Sequence, residues 1–318
     1  MAGTPEANEI AITRFYDAPV RLVWDAWTDP DQVAQWWGPR GFTLTTHSKD
    51  LRPGGSWKYT MHGPDGVDYP NTTRYIEVEP CARLVYDHGA HDDRPPLFRV
   101  TVLFTEVRGG TRMDMRMTLP TPEAAEATRK HIKEVGGNST WDRLAEYLEK
   151  ESSDRDVFVI TRTFEAPIDV LFDMWTDPRH LSAWLPPTGF TMRFLKPDIR
   201  VGGTSTYSMS DGGTTTMYGR VEYLEIDRPH RIVYTQQFCD EHGQISRHPR
   251  LPVWPETLLT NVSLTPESPD RTRVTVRWEV HGTATRDEAE AFSGSKGGMT
   301  RGWSGSFDKL EAYLAEVP

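Results

Sequence analysis

The sequence predicts an α+β protein built from two tandem copies of one domain, on three observations. The stretch WTDPDQVAQWWGP at Trp27 returns as WTDPRHLSAWLPP at Trp175. Read on in that register, the first fifty positions from Ile12 are roughly 40% identical to those from Ile160. Within each copy, runs of alternating β-branched and aromatic residues are framed by helical spacing at both ends.

The elements of the first copy follow in order. IAITRFY alternates and reads as a strand. Pro19 suits a first helical turn. Val20, Val23, Trp24 and Trp27 then fall at i, i+3, i+4 and i+7, one apolar helical face, repeated as Ile168, Leu171, Phe172 and Trp175. Asp29-Pro30 ends that helix and starts a short second one. SWKYTMH, TRYIEVEP, ARLVYDHG, FRVTVLFTEV and TRMDMRMTL alternate between glycine-rich turns, as an antiparallel meander does. The copy closes on TPEAAEATRKHIKEVGGNSTWDRLAEYLEK, where Thr121 can cap, Pro122 takes the first turn, and Ile132, Val135, Leu144 and Leu148 mark an apolar face. Strand, two helices, five or six strands and a long helix make an α+β domain whose sheet buries its apolar face under that helix.

The repeat continues with DLRPGG over DIRVGG, RLVY over RIVY, and WDRLAEYL over FDKLEAYL. It gives a tail over 1–9, a first domain over 10–149, a polar linker over 150–156, and a second domain over 157–318. The second copy carries an inserted loop over 236–255, QQFCDEHGQISRHPRLPVWP. Two copies are too few for a solenoid, so each owns its core; an apolar contact between the copies is open.

Bulk properties exclude several partners. The 318-residue chain carries a net charge of −10, the wrong sign for nucleic acid or an anionic membrane surface. No apolar run approaches the ~20 residues that span a bilayer. MAGTPEANEI lacks the basic head and apolar stretch of a secretory signal. Cys81 and Cys239, far apart, read as free thiols, and the expected location is cytoplasmic. Aromatic residues make up 11% of the chain, with eleven Trp, a rich supply of large apolar surface for cores or pockets.

The segments APVRLVWDAWTDPDQVAQWWGPRGF, DLRPGG, MHGPDGVDYPN, GGTRMDMRM and WDRLAEYL resemble the START-like (Bet v 1-like, SRPBCC) superfamily. Within it they are most similar to the heat-shock-chaperone ATPase activator homologue (AHSA-type) family, as is RHPRLPVWPE at Arg247–Glu256. The resemblance covers both copies. It implies a helix-grip fold: a curved antiparallel sheet wrapped around a long C-terminal helix, often with an apolar cavity between them. It further implies hydrophobic ligands, polyketide cyclisation or accessory roles. The separate N-terminal chaperone-binding domain of the co-chaperone proper is not recognisable, because the first strand begins near residue 10.

Several constellations carry two readings. Trp24, Trp27, Trp36 and Trp37, repeated in part by Trp175 and Trp184, have the spacing of a core face, or they border a cavity mouth that stacks on a flat ligand. Leu185 and Pro186 replace Trp37 and Gly38 in the second copy, which a shared core tolerates better than a shared ligand. Gly136-Gly137 interrupt the first closing helix. FSGSKGGMTRGWSGSF, with Gly294, Gly297, Gly298, Gly302 and Gly305, predicts a second one that is broken or starts late, since each interior Gly costs about 1 kcal/mol. It also suits a flexible gate or bare backbone against a ligand. Met61, Met113, Met115 and Met117, with Tyr59, Tyr75 and Tyr86, either fill the core or line an adaptable pocket. HGAHDD at His88 lacks regular zinc spacing, so no metal is expected; nor is any cofactor, since no phosphate loop or dinucleotide fingerprint occurs.

The expected function is non-catalytic binding of a hydrophobic, polycyclic, natural-product-like molecule, for self-resistance, sequestration or biosynthesis, as in polyketide or enediyne antibiotic production. A polyketide aromatase/cyclase is the alternative, and a chaperone ATPase activator the lower one. Expected ligand contacts in the first copy are Trp24, Trp36, Trp37, Tyr59, Met61, Tyr86, Met115 and Trp141. In the second copy they are Trp184, Tyr207, Met209, Tyr234, Phe238, Trp254, Trp278, Met299 and Trp303. The glycines and the insertion make the second cavity the more accessible one.

Overall fold

A computed structural model describes residues 5–89, 95–134, 139–213, 215–249 and 251–316. Gly136-Gly137 and the His91-Asp92-Asp93 part of the HGAHDD stretch lie outside them. The chain divides into two compact units, Met1–Ser152 and Ser153–Pro318.

The first unit runs β1 (Glu9–Tyr16), α1 (Val20–Thr28), α2 (Pro30–Trp36), β2 (Thr43–Lys49), β3 (Ser56–His62), β4 (Asp68–Glu79), β5 (Arg83–His88), β6 (Phe98–Val107), β7 (Gly110–Thr118), α3 (Pro122–Glu134) and α4 (Ser139–Glu151). The second repeats it as β8 (Val157–Phe164), α5 (Ile168–Thr176), α6 (Pro178–Trp184), β9 (Thr191–Lys196), β10 (Thr204–Ser210), β11 (Thr216–Asp227), β12 (Arg231–Cys239), β13 (Thr257–Ser268), β14 (Arg271–Val280), α7 (Arg286–Gly294) and α8 (Lys296–Leu314). Each unit holds one seven-stranded sheet, ordered β1-β7-β6-β5-β4-β3-β2 and β8-β14-β13-β12-β11-β10-β9. All pairings are antiparallel. This is the predicted α+β helix-grip arrangement. Bulges recur at equivalent places, Tyr75/Glu77 and Tyr223/Glu225, where an extra residue bends the strand and curves the sheet.

The repeated WTDP has a local explanation. Trp27 and Trp175 are core residues, each about 3% exposed. Thr28 and Thr176 donate back to the carbonyls of Trp24 and Phe172, closing the first short helix. Asp29 accepts from the backbone N–H groups of Asp31 and Gln32, and Asp177 from that of Arg179, capping the second short helix. Pro30 and Pro178 open that helix, where no amide hydrogen is required. Further on, Trp36 Nε1 donates to the Ala26 carbonyl and Trp184 Nε1 to that of Met174, at 3.0 and 2.9 Å. In the Gly-Gly turns, Gly54 and Gly202 have φ of +82° and +74°. A Cβ on Gly55 or Gly203 would stand 2.2 or 2.3 Å from the carbonyl oxygen of Asp50 or Asp198.

The closing helix of the second unit is broken, as its glycines predict, but at one point. A capping box of Thr285 and Glu288 starts α7 early, and Ser295 separates α7 from α8. From there α8 runs unbroken through Gly297, Gly298, Gly302 and Gly305. Its buried stripe of Met299, Trp303, Phe307 and Leu310 packs on the sheet and offsets the poor helix propensity of the glycines.

Candidate functional site

A cavity of about 600 Å³ lies in the second unit between the sheet and α8. Its floor is built in rows by strand register. Met192, Met209 and Met217 are cross-strand neighbours at one end. Phe194, Tyr207, Gly219 and Phe238 form the next row, then Val221, Gln236 and Leu258, then Tyr223 and Tyr234, in line with Thr260 and Trp278. Apart from Thr260, these residues line the cavity, as the inward half of a period-two pattern must. Gly219 has a steric reason: Tyr207 Cζ and its hydroxyl oxygen lie 2.2 and 2.4 Å from where a Cβ would stand, so the phenol rests on bare backbone.

The roof is the closing helix. Gly294, Gly298 and Gly302 line the cavity at i, i+4 and i+8, beside Met299 and Trp303. A Cβ on Gly294 or Gly302 would meet nothing within 4 Å. The inner wall is aromatic: Trp303 stacks on Trp175 at 5.8 Å and meets Trp278 edge-on at 5.7 Å. The insertion forms the remaining wall. Its His248 sits edge-on to Phe238 at 4.5 Å, and Trp254 packs against Phe292 of α7. Arg247 holds this loop, donating to the Trp254 carbonyl and pairing with Glu288 at 2.5 Å. Backbone bonding from Thr285, then the Arg247 contact, holds the Glu288 carboxyl below the usual carboxylate range.

Burial pushes the phenols of Tyr207 and Tyr223 up to about 12, and that of Tyr234 higher still. These groups are neutral hydrogen-bond donors near pH 7, not bases. Among the described residues no group of three or more His, Cys, Asp or Glu is placed to hold a metal. A second depression, bordered by Arg155, Asp156, Glu279 and Phe292, is charged, and its ions are already paired: Arg155 with Glu279, Lys296 with Asp156.

Of the residues singled out in the second copy, Tyr207, Met209, Tyr234, Phe238, Trp254, Trp278, Met299 and Trp303 border this cavity. Trp184 does not; it is fully buried behind Trp175, its indole N–H spent on Met174. Lining residues outside the expected contacts include Trp175, whose spacing left core and cavity mouth both open, and Met192, Met217, Gly219 and Gln236. An isolated glycine inside the strand pattern TMYGRVEY was the available signal for a close approach.

The first copy's residues are placed differently. Trp24, Trp36, Tyr59, Tyr86, Met115 and Trp141 are buried in that unit's core cluster, with Trp37 and Met61 half-buried against it. Trp27, Trp36, Trp37 and Trp141 are in mutual ring contact at 5.3–6.3 Å. Trp37 meets Trp57, which stacks on Tyr59 at 4.0 Å. In the second unit, Leu185 and Ser205 stand where Trp37 and Trp57 stand in the first. Of these two positions, Leu185 borders the cavity, where it is smaller than the indole of Trp37. The segment between helix and sheet is also held less tightly. In the first unit Arg143 donates to the carbonyls of Gln35, Gly38, Pro39 and Phe42, and Arg40 pairs bidentately with Glu146. In the second, Lys309 reaches only the Pro186 carbonyl and Ser306 that of Leu185.

Two sheets, each gripping a C-terminal helix, with an aromatic-walled cavity inside one grip, define a protein of the START-like (SRPBCC) class, a fold of hydrophobic-ligand-binding domains in general. The family described as "Activator of Hsp90 ATPase homolog 1-like protein" matches residues 17–149 and again 165–315. The chain belongs to that family and carries its domain twice. Similar solved structures include a protein from Nitrosomonas europaea, 26% identical over 46% of this chain and 99% of its own, with a TM-score of 0.42. Another, from Mycobacterium smegmatis, is 29% identical over 46% of this chain and 93% of its own, with a TM-score of 0.41. An AHSA1-like protein from Aeromonas hydrophila is 25% identical over 46% and 97%, with a TM-score of 0.37. No curated protein matches the chain significantly. No helix among the described residues is long and apolar enough to cross a membrane.

Proposed function

We propose that the second domain is a binding site for a hydrophobic, polycyclic small molecule, held without chemical change, as a sequestering, resistance or biosynthetic accessory protein does. The observation that carries this reading is the cavity of about 600 Å³ walled by Trp175, Trp254, Trp278 and Trp303 and floored by Met and Tyr side chains. That volume falls within the range of roughly 300–1,000 Å³ that small-molecule sites occupy. Flat aromatic walls favour fused rings, and the methionine row gives a wall that adapts to irregular ligand edges. The first domain, with its indoles in place, is the structural partner in this reading.

The test is a fluorescence titration with a neutral polycyclic probe, anthraquinone, in the native protein and in Leu185→Trp. The substitution returns an indole to the place of Trp37. Native protein is expected to show quenched tryptophan emission with micromolar affinity and to return the probe unaltered. Leu185→Trp is expected to lose at least roughly tenfold in affinity while unfolding at a similar temperature. Turnover of a poly-β-ketone thioester would favour the cyclase alternative instead, and unchanged affinity in the variant would refute the assignment of the cavity.

A further inference from the structure

The polar groups facing the cavity point to the ligand's chemistry. Most arginines of the second unit are engaged: Arg162 with Asp308, Arg228 with Asp173, Arg247 with Glu288, Arg273 with Glu267. Arg301 differs. It lines the cavity from α8 and, among the described residues, has no ion pair or hydrogen bond. Its guanidinium folds back along the helix over the glycine face. Nη1 lies 3.9 Å from where a Cβ of Gly297 would stand, and Nη2 3.9 Å from that of Gly298. Helical side chains lean toward the N-terminus, so Arg301 covers the turn before its own Cα. Gly297 and Gly298 in that turn carry no side chain, so on that side nothing stands between the guanidinium and a ligand resting on Gly298.

Two more polar groups are free to bond a ligand. The Tyr207 hydroxyl and the Gln236 amide line the floor, and neither has a hydrogen-bond partner among the described residues. Gln236 is flanked by Val221 and Leu258 across the sheet and by Tyr234 and Phe238 along its own strand, all apolar or aromatic. A half-buried amide in such surroundings gains from a ligand that bonds it and penalises one that cannot. Tyr207 stays a donor because burial raises its phenol. The unpartnered set is therefore rich in N–H and O–H groups, with the planar, weakly hydrated fork of Arg301 at the rim. Glu256, on the segment entering β13, borders the cavity with the opposite charge.

We propose that the ligand carries an anionic group, a carboxylate on its polycyclic body, and that Arg301 is the residue that reads it. The inference rests on the cavity reading above and adds the sign of the ligand's charge. The apolar body lies between the tryptophan walls and on bare α8 backbone. The carboxylate accepts two hydrogen bonds from the guanidinium, and Gln236 and Tyr207 face the body of the ligand from the floor.

Three probes of one shape test it: anthracene-2-carboxylate, its neutral carboxamide, and an anthracene bearing a trimethylammonium group at the same position. Affinities are measured by tryptophan quenching in native protein, Arg301→Gln and Arg301→Lys, with melting temperatures recorded for each. The carboxylate is expected to bind roughly tenfold tighter than the carboxamide in native protein, as a charge-assisted contact gives. Arg301→Gln is expected to abolish that difference and leave carboxamide affinity unchanged, and Arg301→Lys to keep only part of it. Equal binding of acid and amide by native protein overturns the proposal and leaves the cavity reading intact. So does tightest binding of the ammonium probe, which would give the recognition to Glu256. An equal loss for acid and amide in Arg301→Gln overturns it too, since the residue would then only shape the wall. Binding of none of the three overturns both readings.

Discussion

Residue by residue, the two domains differ at a few matched core positions. Trp27 and Trp175 occupy matching core positions, yet Trp37 and Trp57 in one copy are Leu185 and Ser205 in the other. Around the surviving indoles the backbone devices are the same: the Thr back-bond, the Asp cap, the helix-opening proline and the buried Trp N–H bond. The cap is testable in isolation. Asp29→Ala is expected to destabilise the protein by about 1 kcal/mol in chemical denaturation, and Asp29→Ser by little, because serine still accepts from the first-turn amides. Equal losses for the two would mean that the carboxylate acts through its charge and not as a cap. At this scale the sequence was half legible. The repeated tryptophans announced themselves, but spacing alone could not separate Trp175, which walls the cavity, from Trp184, which lies one layer behind it. Each lies on the apolar side of its own short helix, and only the three-dimensional layering tells them apart.

Among the elements, the closing helix of the second domain is the most informative. Its glycine content argues against a helix, and a helix forms because four large apolar residues anchor one face. The remaining question is why evolution tolerates the cost. Gly305 has a packing reason, since a Cβ there would stand 2.7 Å from Thr188 Oγ1. Gly302 has none: its would-be Cβ enters open cavity. Gly302→Ala is therefore expected to stabilise the protein by about 1 kcal/mol in thermal or denaturant unfolding. Gly302→Leu is expected to weaken anthraquinone binding by occupying the same space. A destabilised Gly302→Ala would show that the glycine serves helix packing and not the cavity. The strands were read correctly as an antiparallel meander because their alternation is strong. Rows such as Met192–Met209–Met217 stayed hidden, since register across strands is a tertiary property that turn residues only partly encode.

For the whole molecule, one family domain occurs twice, each copy with its own sheet and core. The fold class was legible because the repeat doubled its anchor segments: the first strand and helix, WTDP, the Gly-Gly turn, RLVY over RIVY and the end of the closing helix all recur in one order. The site was less legible, because a cavity is defined by what is missing, and absence shows only when two copies are compared side chain by side chain. The first domain spends its indoles on one another and ties its helix–strand segment with Arg143 and the Arg40–Glu146 pair. The second leaves that room open and adds a loop and a glycine-faced helix around it. This division of labour makes a quantitative statement about stoichiometry. The most direct measurement is a structure of the protein saturated with anthraquinone, together with calorimetric determination of the number bound per chain. One molecule per chain, lying between Trp175, Trp303 and the glycine face of α8, is the expected result. A probe seated among the tryptophans of the first domain, or two equivalent sites per chain, would contradict the account.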